Sequence, residues 1–372
     1  MTRSTRAASV LLMLSLSGCT KGAGAGAVGA SESASESAST SASTSTSQSG
    51  SASASPSAVT STHEKLPGRV VFRRYSDAAG TSGSLFTRAL DGSDERPLTQ
   101  PLPKTLDQPV RWSPDGKRVL FTRVTQSSDG NDVRRLWTVA ADGSDLRPLT
   151  AATPEKNGTP APYEGDGSYS PDSTRIAYMH ATRLYGSYAL PHSDVYVMDA
   201  SGRNRHPVTH LPTGIGEVSG VRWSPDGKRL LFSYATNETG TPPNGHALFT
   251  VGVDGSGLAQ LTPWKLSVTG IADWSAATNL IVIRVTPDEE TGVGNFYTIH
   301  PDGTGLTPVT KFTDTVISHQ VGFSPDGQWI VFSAQPKDAA AANGQYVAKV
   351  DGTDTFPVSH PAYAESCFDW TK

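Results

Sequence analysis

The chain has 372 residues, of which 36% are hydrophobic and 18% charged, and it contains 36 glycines and 26 prolines. So many turn-forming residues exclude a helical bundle and favour a fold built of short strands. The formal net charge is −4, and lysine and arginine are scattered rather than clustered, so we expect no nucleic-acid partner. Two cysteines, Cys19 and Cys367, are too few for a disulfide framework or a cysteine-based zinc site.

Residues 1–18 have the features of a secretory signal peptide. Arg3 and Arg6 give a positive start, and the apolar run from Ala7 to Leu16 is about half as long as a bilayer span. The tetrad Leu-Ser-Gly-Cys that ends at Cys19 resembles the lipobox of bacterial lipoproteins. This resemblance implies cleavage before Cys19, acylation of its thiol, and attachment to the cell membrane through the lipid anchor.

Residues 19–66 have the composition of a flexible tether. Ser, Thr, Ala and Gly make up 36 of the 44 residues from Thr20 to His63. Such a segment buries too little surface to offset the entropy lost on ordering, so we predict that it is disordered. It resembles the tethers of lipoproteins from high-GC Gram-positive bacteria, which implies an extracytoplasmic domain on a Gram-positive type envelope. Whether its hydroxyl groups are glycosylated stays open.

The remaining residues, 67–372, contain an internal repeat. Residues 111–121 read RWSPDGKRVLF and return at 222–232 as RWSPDGKRLLF. A second pattern, Asp-Gly or Ser-Gly followed by Leu-Thr, Val-Thr or Val-Ser, recurs in step with the first in six copies. The aromatic residues that mark the first pattern are 47–57 residues apart, which is the length of a four-stranded unit. They are Trp112, Tyr169, Trp223, Trp274, Phe323 and Trp370, and we predict that they form the core between units.

Both patterns contain turns that join short strands. Proline presets φ in the Ser-Pro-Asp-Gly turn, and the Asp-Gly turn needs a positive φ. A unit therefore reads as four antiparallel strands: one that ends at Trp112, then Val119–Arg123, Leu136–Ala140 and Arg147–Thr150. The first unit lacks its first strand, and residues 368–372 resemble one without a successor. We predict an all-β fold, a six-bladed β-propeller of 24 strands that closes where the C-terminal strand pairs with the N-terminal strands.

The two patterns together resemble the repeat of TolB-type six-bladed β-propellers, over residues 67–372. The resemblance implies the fold more strongly than a function. The same repeat occurs in TolB proteins, in the propellers of prolyl-oligopeptidase-type peptidases, and in lyases that bind oligogalacturonides. TolB proteins have an additional N-terminal α/β domain, whereas a tether precedes the repeats here, so the resemblance does not imply the role of TolB itself.

Motifs for nucleophilic, phosphate-binding or metal-dependent catalysis are absent from the sequence. The chain has no Gly-x-Ser-x-Gly, no Gly-x-x-x-x-Gly-Lys-Ser/Thr and no His-Glu-x-x-His, and no residues follow the predicted closing strand to form a hydrolase domain. We therefore expect neither peptidase activity nor a cofactor. The Asp-Gly turns also lack the ligand run of a calcium loop, so we interpret them as turns only.

Histidines offer the remaining route to a metal site. The lyases of the resembling family use a histidine cluster for a divalent metal, so three or more converging histidines here would favour an enzyme. The histidines considered for convergence are His180, His192, His210, His319 and His360. The alternative is that they are ordinary hydrogen-bonded or solvated side chains.

The two edges of the predicted propeller differ in their loops. The short Pro-Asp-Gly and Asp-Gly turns lie on one edge, the turn rim, and the longer loops, such as residues 151–167 and 181–194, lie on the other, the loop rim. Binding residues concentrate in variable loops on a rigid scaffold, so we place the ligand site on the loop rim. Candidate ligand-binding residues in the third unit are Tyr163, Glu164, Asp166, Tyr185, Tyr188 and His192. Candidates near the starts of first strands are Asp107, Glu217, Asp273, His319 and Glu365.

Two functional hypotheses follow from the sequence. The favoured one is a lipid-anchored binding scaffold whose loop rim engages an envelope protein or a wall-associated ligand such as a polysaccharide. The other is a metal-assisted, lyase-like enzyme acting on carbohydrate at the mouth of the propeller channel. Whether the protein catalyses any reaction is left open by the sequence.

Overall fold

Short strands account for nearly all the regular structure in a computed structural model that describes residues 66–77, 79–126, 132–150, 162–182, 192–212, 216–236, 245–287, 291–336, 344–359 and 365–371. The first twelve strands are β1 (Arg69–Tyr75), β2 (Gly83–Ala89), β3 (Arg96–Pro97), β4 (Thr105–Trp112), β5 (Arg118–Thr125), β6 (Val133–Ala140), β7 (Arg147–Pro148), β8 (Tyr163–Tyr169), β9 (Arg175–Thr182), β10 (His192–Asp199), β11 (His206–Pro207) and β12 (Gly216–Trp223). The others are β13 (Arg229–Thr236), β14 (Gly245–Gly252), β15 (Ala259–Gln260), β16 (Val268–Trp274), β17 (Ile281–Val285), β18 (Asn295–Ile299), β19 (Thr307–Pro308), β20 (Thr315–Phe323), β21 (Trp329–Pro336), β22 (Gly344–Lys349), β23 (Thr355–Ser359) and β24 (Glu365–Thr371). Within these ranges the only helix is one 3₁₀ turn, Trp264–Leu266, and no helix has the length and hydropathy of a membrane span.

The strands pair antiparallel in sets of four, which we call units. Unit A is β24-β1-β2-β3, unit B is β4 to β7, unit C is β8 to β11, unit D is β12 to β15, unit E is β16 to β19, and unit F is β20 to β23. The strand named first in each unit is its first strand. This arrangement confirms the predicted all-β fold of four-stranded antiparallel units.

The first strands contact one another in a regular order. Strand β4 contacts β8, β8 contacts β12, β12 contacts β16, β16 contacts β20, β20 contacts β24, and β24 contacts β4. Strand β24 also pairs with β1, with Arg69 opposite Thr371 and Val70 opposite Trp370. Gly68 precedes this pairing at a φ of 101°, and a Cβ there would lie 2.2 Å from the carbonyl oxygen of Thr371. Only glycine fits that position.

Five of the six fourth strands have two residues, fewer than the sequence predicts, and β23 has five. Strand β7 contains two residues instead of the four of Arg147–Thr150, because the chain turns back over the third strand of its unit. The hydroxyl of Thr150 accepts the backbone N–H of Leu136 at 3.1 Å, which fixes this return. The same threonine contact, at 2.9 Å, joins Thr99 to Leu85, Thr209 to Val195, Thr262 to Leu248, and Thr310 to Phe296. It explains why Leu-Thr or Val-Thr recurs in the sequence.

The turn-rim turns adopt the predicted conformations. Gly116 has a φ of 69° and donates its N–H to the Ser113 carbonyl oxygen at 2.8 Å. In the Asp-Gly turn that begins at Asp142, the carboxylate accepts the backbone N–H of Ser144 at 2.9 Å and its hydroxyl at 2.6 Å. The carboxylate oxygen is thus used by the turn, in agreement with the turn-only interpretation. These contacts hold the pKa of Asp142 below its usual value.

The aromatic residues before the turns pack between neighbouring units, and one of them is more exposed than the others. Five of them are 5–6% exposed: Trp112, Tyr169, Trp223, Phe323 and Trp370. Trp274 in unit E is only partly buried, and its indole N–H donates to Asn279 of its own turn at 3.0 Å. Trp274 nevertheless packs against the apolar cluster that contains Leu231 of unit D and Ile281 of unit E, so the predicted core position holds there in part. Its turn reads Ser-Ala-Ala-Thr-Asn instead of Ser-Pro-Asp-Gly, which changes the surroundings of the ring.

Candidate functional site

Several of the predicted ligand-binding residues meet where the first strands of units C and D begin. Tyr163 on β8 donates its hydroxyl to Oε1 of Glu217 on β12 at 2.7 Å. Arg134 of unit B lies over the Tyr163 ring, with 5.6 Å from the guanidinium carbon to the ring centroid. Asp166, three residues further along β8, interacts electrostatically with both Glu217 and Arg134. The structure thus brings Tyr163, Asp166 and Glu217 into one group, which we call the C–D cluster.

Asp166 is the most perturbed acid of the C–D cluster. It lies at the irregularity between Gly165 and Ser168 in the pairing of β8 with β9, and its φ of 52° is in the left-handed region. Burial raises the pKa of its carboxyl group to about 6, although Arg134 and Arg222 oppose the rise. One carboxylate oxygen, Oδ2, has no hydrogen-bond donor within the described ranges. Strained and desolvated acids of this kind concentrate at functional sites.

Glu164 lies next to the C–D cluster but faces a different set of partners. It is 4% exposed, and its Oε1 is 3.4 Å from Nδ1 of His180 and 3.8 Å from Nη1 of Arg205. His180 stands opposite Glu164 in the β8–β9 register and opposite Asp194 in the β9–β10 register. Directly opposed residues project from the same face of a sheet, so Glu164, His180 and Asp194 form one row across unit C.

His192 is held within its own unit. Its Nε2 is 2.9 Å from Oδ2 of Asp194. The other oxygen of Asp194 accepts the Thr209 hydroxyl at 2.7 Å and the backbone N–H of Leu211 at 2.8 Å. Asp194 therefore fixes the end of the unit, and His192 adds to that anchor.

Asp107 is buried at the start of β4 and fully engaged by arginine. It is 1% exposed, and its two carboxylate oxygens accept hydrogen bonds from Nε and Nη2 of Arg123 at 2.7 and 2.8 Å. Arg73, which is completely buried in unit A, also interacts electrostatically with this carboxylate. Burial lowers the pKa of Arg73, and the interactions with Tyr75 and Asp107 oppose this decrease. The paired geometry of Asp107 and Arg123 is that of a strong structural contact.

The other predicted site residues are separated from the C–D cluster or lie outside what the structure describes. His319 is the fifth of the nine residues of β20, in mid-strand and not near its start as predicted, and its Nδ1 is 3.5 Å from Nη1 of Arg284. Asp273 is the sixth of the seven residues of β16, at the turn rim, and not near the start of its strand as predicted. Glu365 begins β24, but its side chain is outside the described set. Tyr185, Tyr188, His360 and Cys19 also fall outside the described residues.

A buried ionic network at the turn-rim end of the first strands was missed by the sequence analysis. Arg111 on β4 is ion-paired with Asp273 of unit E, at 2.8 Å, and with Asp369 of unit A. Asp369 also accepts the backbone N–H of Trp112 at 2.7 Å, and Asp273 that of Phe323 at 2.8 Å. We call Arg111, Asp273 and Asp369 the ion triad. It ties together first strands from three units.

The ion triad occupies equivalent positions of the repeat, each directly before the aromatic residue. The residues there are Arg111, Ser168, Arg222, Asp273, Gly322 and Asp369. Gly322 leaves room for the triad, because a Cβ there would lie 3.1 Å from Oδ1 of Asp369 and 3.4 Å from Nη1 of Arg111. Burial, together with the nearby charge of Arg111, lowers the pKa of Arg222 to about 9. Aligning the repeats would have shown that four of the six residues at this position are charged, two arginines and two aspartates.

The part of the chain that the structure describes contains no group of side chains that could bind a metal ion. Within those ranges no three His, Cys, Asp or Glu side chains are placed to hold a metal ion. His180, His192 and His319 are instead near Glu164, Asp194 and Arg284 respectively. The lyase-like hypothesis therefore receives no support from these residues.

Comparison with known sequences gives one partial match. No family profile matches the chain. An uncharacterized peptidase, YuxL of Bacillus subtilis, is 26% identical over an alignment of 218 residues, and the match covers 49% of this chain and 31% of that protein. The chain thus spans less than a third of the length of this relative.

Solved structures show the fold. A hydrazine synthase of Kuenenia stuttgartiensis superposes with a TM-score of 0.60 at 13% identity, over 82% of this chain and 46% of that chain. A TolB of Agrobacterium tumefaciens superposes with a TM-score of 0.52 at 16% identity, over 82% of this chain and 99% of that chain. The chain is therefore a β-propeller with TolB-like structural neighbours, and at these identities the likeness concerns the fold alone.

Proposed function

We propose that this protein is a lipid-anchored, extracytoplasmic binding scaffold: a six-bladed propeller that holds an envelope protein or wall-associated ligand on its loop rim. The cyclic order of contacts among the first strands, together with the pairing of β24 and β1, supports a closed ring of units A to F. The lipobox-like sequence at Cys19 and the Ser-rich tether support the anchor. The likeness to a TolB fold is compatible with protein binding.

The engagement of three largely buried acids by arginine favours binding over catalysis at their positions. Asp107 is held by Arg123, and Asp273 and Asp369 are held by Arg111. A carboxylate locked in a buried ion pair is a poor general base, because taking up a proton would break the pair. These acids stabilise the scaffold, and the C–D cluster offers a rigid polar surface between two units.

The anchor is tested by replacing the lipidation site. In Cys19→Ser we expect loss of labelling by a clickable palmitate analogue and release of the protein from the membrane fraction, because no thiol remains to be acylated. Cys367→Ser is the matched control and is expected to stay labelled and membrane-bound. Membrane retention of Cys19→Ser equal to that of the control would contradict the lipid anchor.

The binding role is tested by photo-crosslinking in intact cells. A photoreactive amino acid replaces Leu102, which is 44% exposed between β3 and β4 on the loop rim, or Leu146, which is 41% exposed between β6 and β7 on the turn rim. We expect one discrete adduct from position 102, because the ligand is proposed to bind on the loop rim, and none from position 146. The two positions are similarly exposed, so adducts from random collisions should be equally frequent at both. Adducts of equal yield at both positions, or no adduct at position 102, would oppose binding on the loop rim.

A further inference from the structure

Trp274 departs from the equivalent residue of the neighbouring unit. Trp223 of unit D is 6% exposed; its indole N–H donates to the Ser168 carbonyl oxygen at 3.1 Å, and the guanidinium carbon of Arg175 lies 4.6 Å from its ring centroid. Trp274 packs in part against the apolar cluster of units D and E, but it is partly exposed, its N–H donates to Asn279, and within the described ranges no arginine lies over its ring. An indole surface that the repeat normally covers is therefore accessible in unit E.

Arg229, which lines the same boundary from unit D, departs from the repeat as well. Its equivalents in units A and B, Arg69 and Arg118, form ion pairs with Asp94 and Asp145 in the Asp-Gly turns. Glycine replaces that aspartate in unit D, at position 257, and there Arg229 reaches only the Gly257 carbonyl oxygen, at 3.4 Å. It also donates to the hydroxyl of Thr250. Arg229 is exposed and has no carboxylate partner within the described ranges.

Trp274 and Arg229 both border one groove, which lies on the turn rim between units D and E. The groove has a volume of about 710 Å³, within the range of ligand sites, and both Arg229 and Trp274 line it. Gln260 of edge strand β15 forms part of its wall, and Leu258, two residues earlier, is 47% exposed. Tryptophan, arginine and exposed apolar side chains are enriched where proteins bind proteins.

We propose that this groove binds an acidic peptide segment of a partner protein. An Asp or Glu carboxylate of that segment takes the place at Arg229 that Asp94 and Asp145 fill at Arg69 and Arg118. An adjacent apolar side chain covers the open face of Trp274. Arginine binds a carboxylate through two parallel hydrogen bonds, and the indole face supplies apolar contact area beside it.

The groove also limits the charge that a ligand can carry. Asp226 and Asp302 line it, and each uses its Oδ1 to hold its own turn, by accepting the N–H of Lys228 and of Thr304 at 3.0 and 2.9 Å. Their negative charge repels a segment with consecutive acidic residues. The preferred ligand therefore has one acidic residue next to an apolar residue, and not a polyacidic run.

A random peptide library displayed on phage tests this site, with the full chain immobilised as bait. We expect enriched peptides to carry a single Asp or Glu beside an aromatic or aliphatic residue. Synthetic copies should bind Arg229→Gln and Trp274→Ala at least tenfold more weakly than the unmodified chain. Binding should be unchanged in Arg118→Gln, the equivalent arginine whose carboxylate partner is already present in the chain. Circular dichroism confirms that each variant is folded.

Three outcomes would overturn the groove as an acidic-peptide site. They are no enrichment over an empty support, enriched peptides without an acidic residue, and affinities that Arg229→Gln leaves unchanged. Each is independent of the loop-rim crosslinks, because position 102 lies between β3 and β4 of units A and B, whereas the groove lies between units D and E. Failure of one site therefore does not decide the other.

Discussion

Replacing Arg111 by methionine is expected to lower the free energy of unfolding by about 3–5 kcal/mol, because two buried carboxylates lose their counter-ion. Asp273 and Asp369 have side chains that are 13% and 4% exposed, so water compensates little for the lost guanidinium. Burial already raises the pKa of Asp369 against the opposing effect of Arg111. Urea denaturation at pH 7, followed by tryptophan fluorescence, measures the change.

Two further variants separate the role of the ion triad from the mere loss of a positive charge. Lys117→Met removes a lysine that is 79% exposed and 3.7 Å from Asp115, and we expect a denaturation midpoint close to that of the unmodified protein. Arg111→Met combined with Asp273→Asn and Asp369→Asn should recover part of the stability, since no uncompensated charge stays buried. An Arg111→Met midpoint equal to that of Lys117→Met would show that the triad does not hold the units together.

Replacing Asp166 by asparagine is expected to change how stability depends on pH. Its pKa is about 6 in the folded protein, above the ordinary value of an aspartate, so between about pH 4 and 6 the folded state binds more protons than the unfolded state. Stability must then fall as pH rises through this window and level off above it. Relative to Asp166→Asn, the unmodified protein should lose about 2 kcal/mol from pH 4 to pH 7, since one pKa unit equals about 1.4 kcal/mol and the unfolded carboxyl is already partly ionised at pH 4.

Urea unfolding of both proteins from pH 4 to pH 8 measures this difference. Asp142→Asn serves as the control of opposite sign: the pKa of Asp142 is lowered by its turn, so the unmodified protein should gain stability relative to this variant as pH rises toward about 4, and this pair is therefore measured from about pH 2. Parallel profiles for the unmodified protein and Asp166→Asn would mean that Arg134 and Arg222 keep Asp166 ionised throughout. In that case the C–D cluster would not titrate near neutral pH.

Local features of the fold were predictable because short-range contacts determine them. The Ser-Pro-Asp-Gly turn is held by bonds within a few residues, such as that from Gly116 to Ser113. The spacing of Asp-Gly and Leu-Thr fixed the order of strands in each unit, and β5 and β6 include the predicted ranges Val119–Arg123 and Leu136–Ala140. The fourth strands were predicted too long, because the hydroxyl contact from Thr150 to Leu136 is invisible to strand periodicity.

The candidate site was predictable only in part. Tyr163 and Asp166 were identified as residues of a long loop, although they lie on β8, and Glu217 was identified near the start of a first strand; the structure does bring the three together. Their roles differ in a way that residue type cannot show. The pKa of Asp166 depends on burial between two units and on two arginines from other strands, whereas Asp107, chosen by the same reasoning, is locked to Arg123.

The sequence by itself determined the repeat, the turns and the strand order, since each depends on residues that are near one another along the chain. Only the tertiary structure decided which charges meet. Arg111 and Asp369 are 258 residues apart and become ion-paired because the first strands of different units converge. It likewise decided that Trp274 is more exposed than Trp223: Arg175 of the preceding unit lies over the ring of Trp223, whereas its equivalent Arg229 makes no such contact with Trp274 in the described residues. Contacts between units follow from how the units pack, and no local pattern encodes that packing.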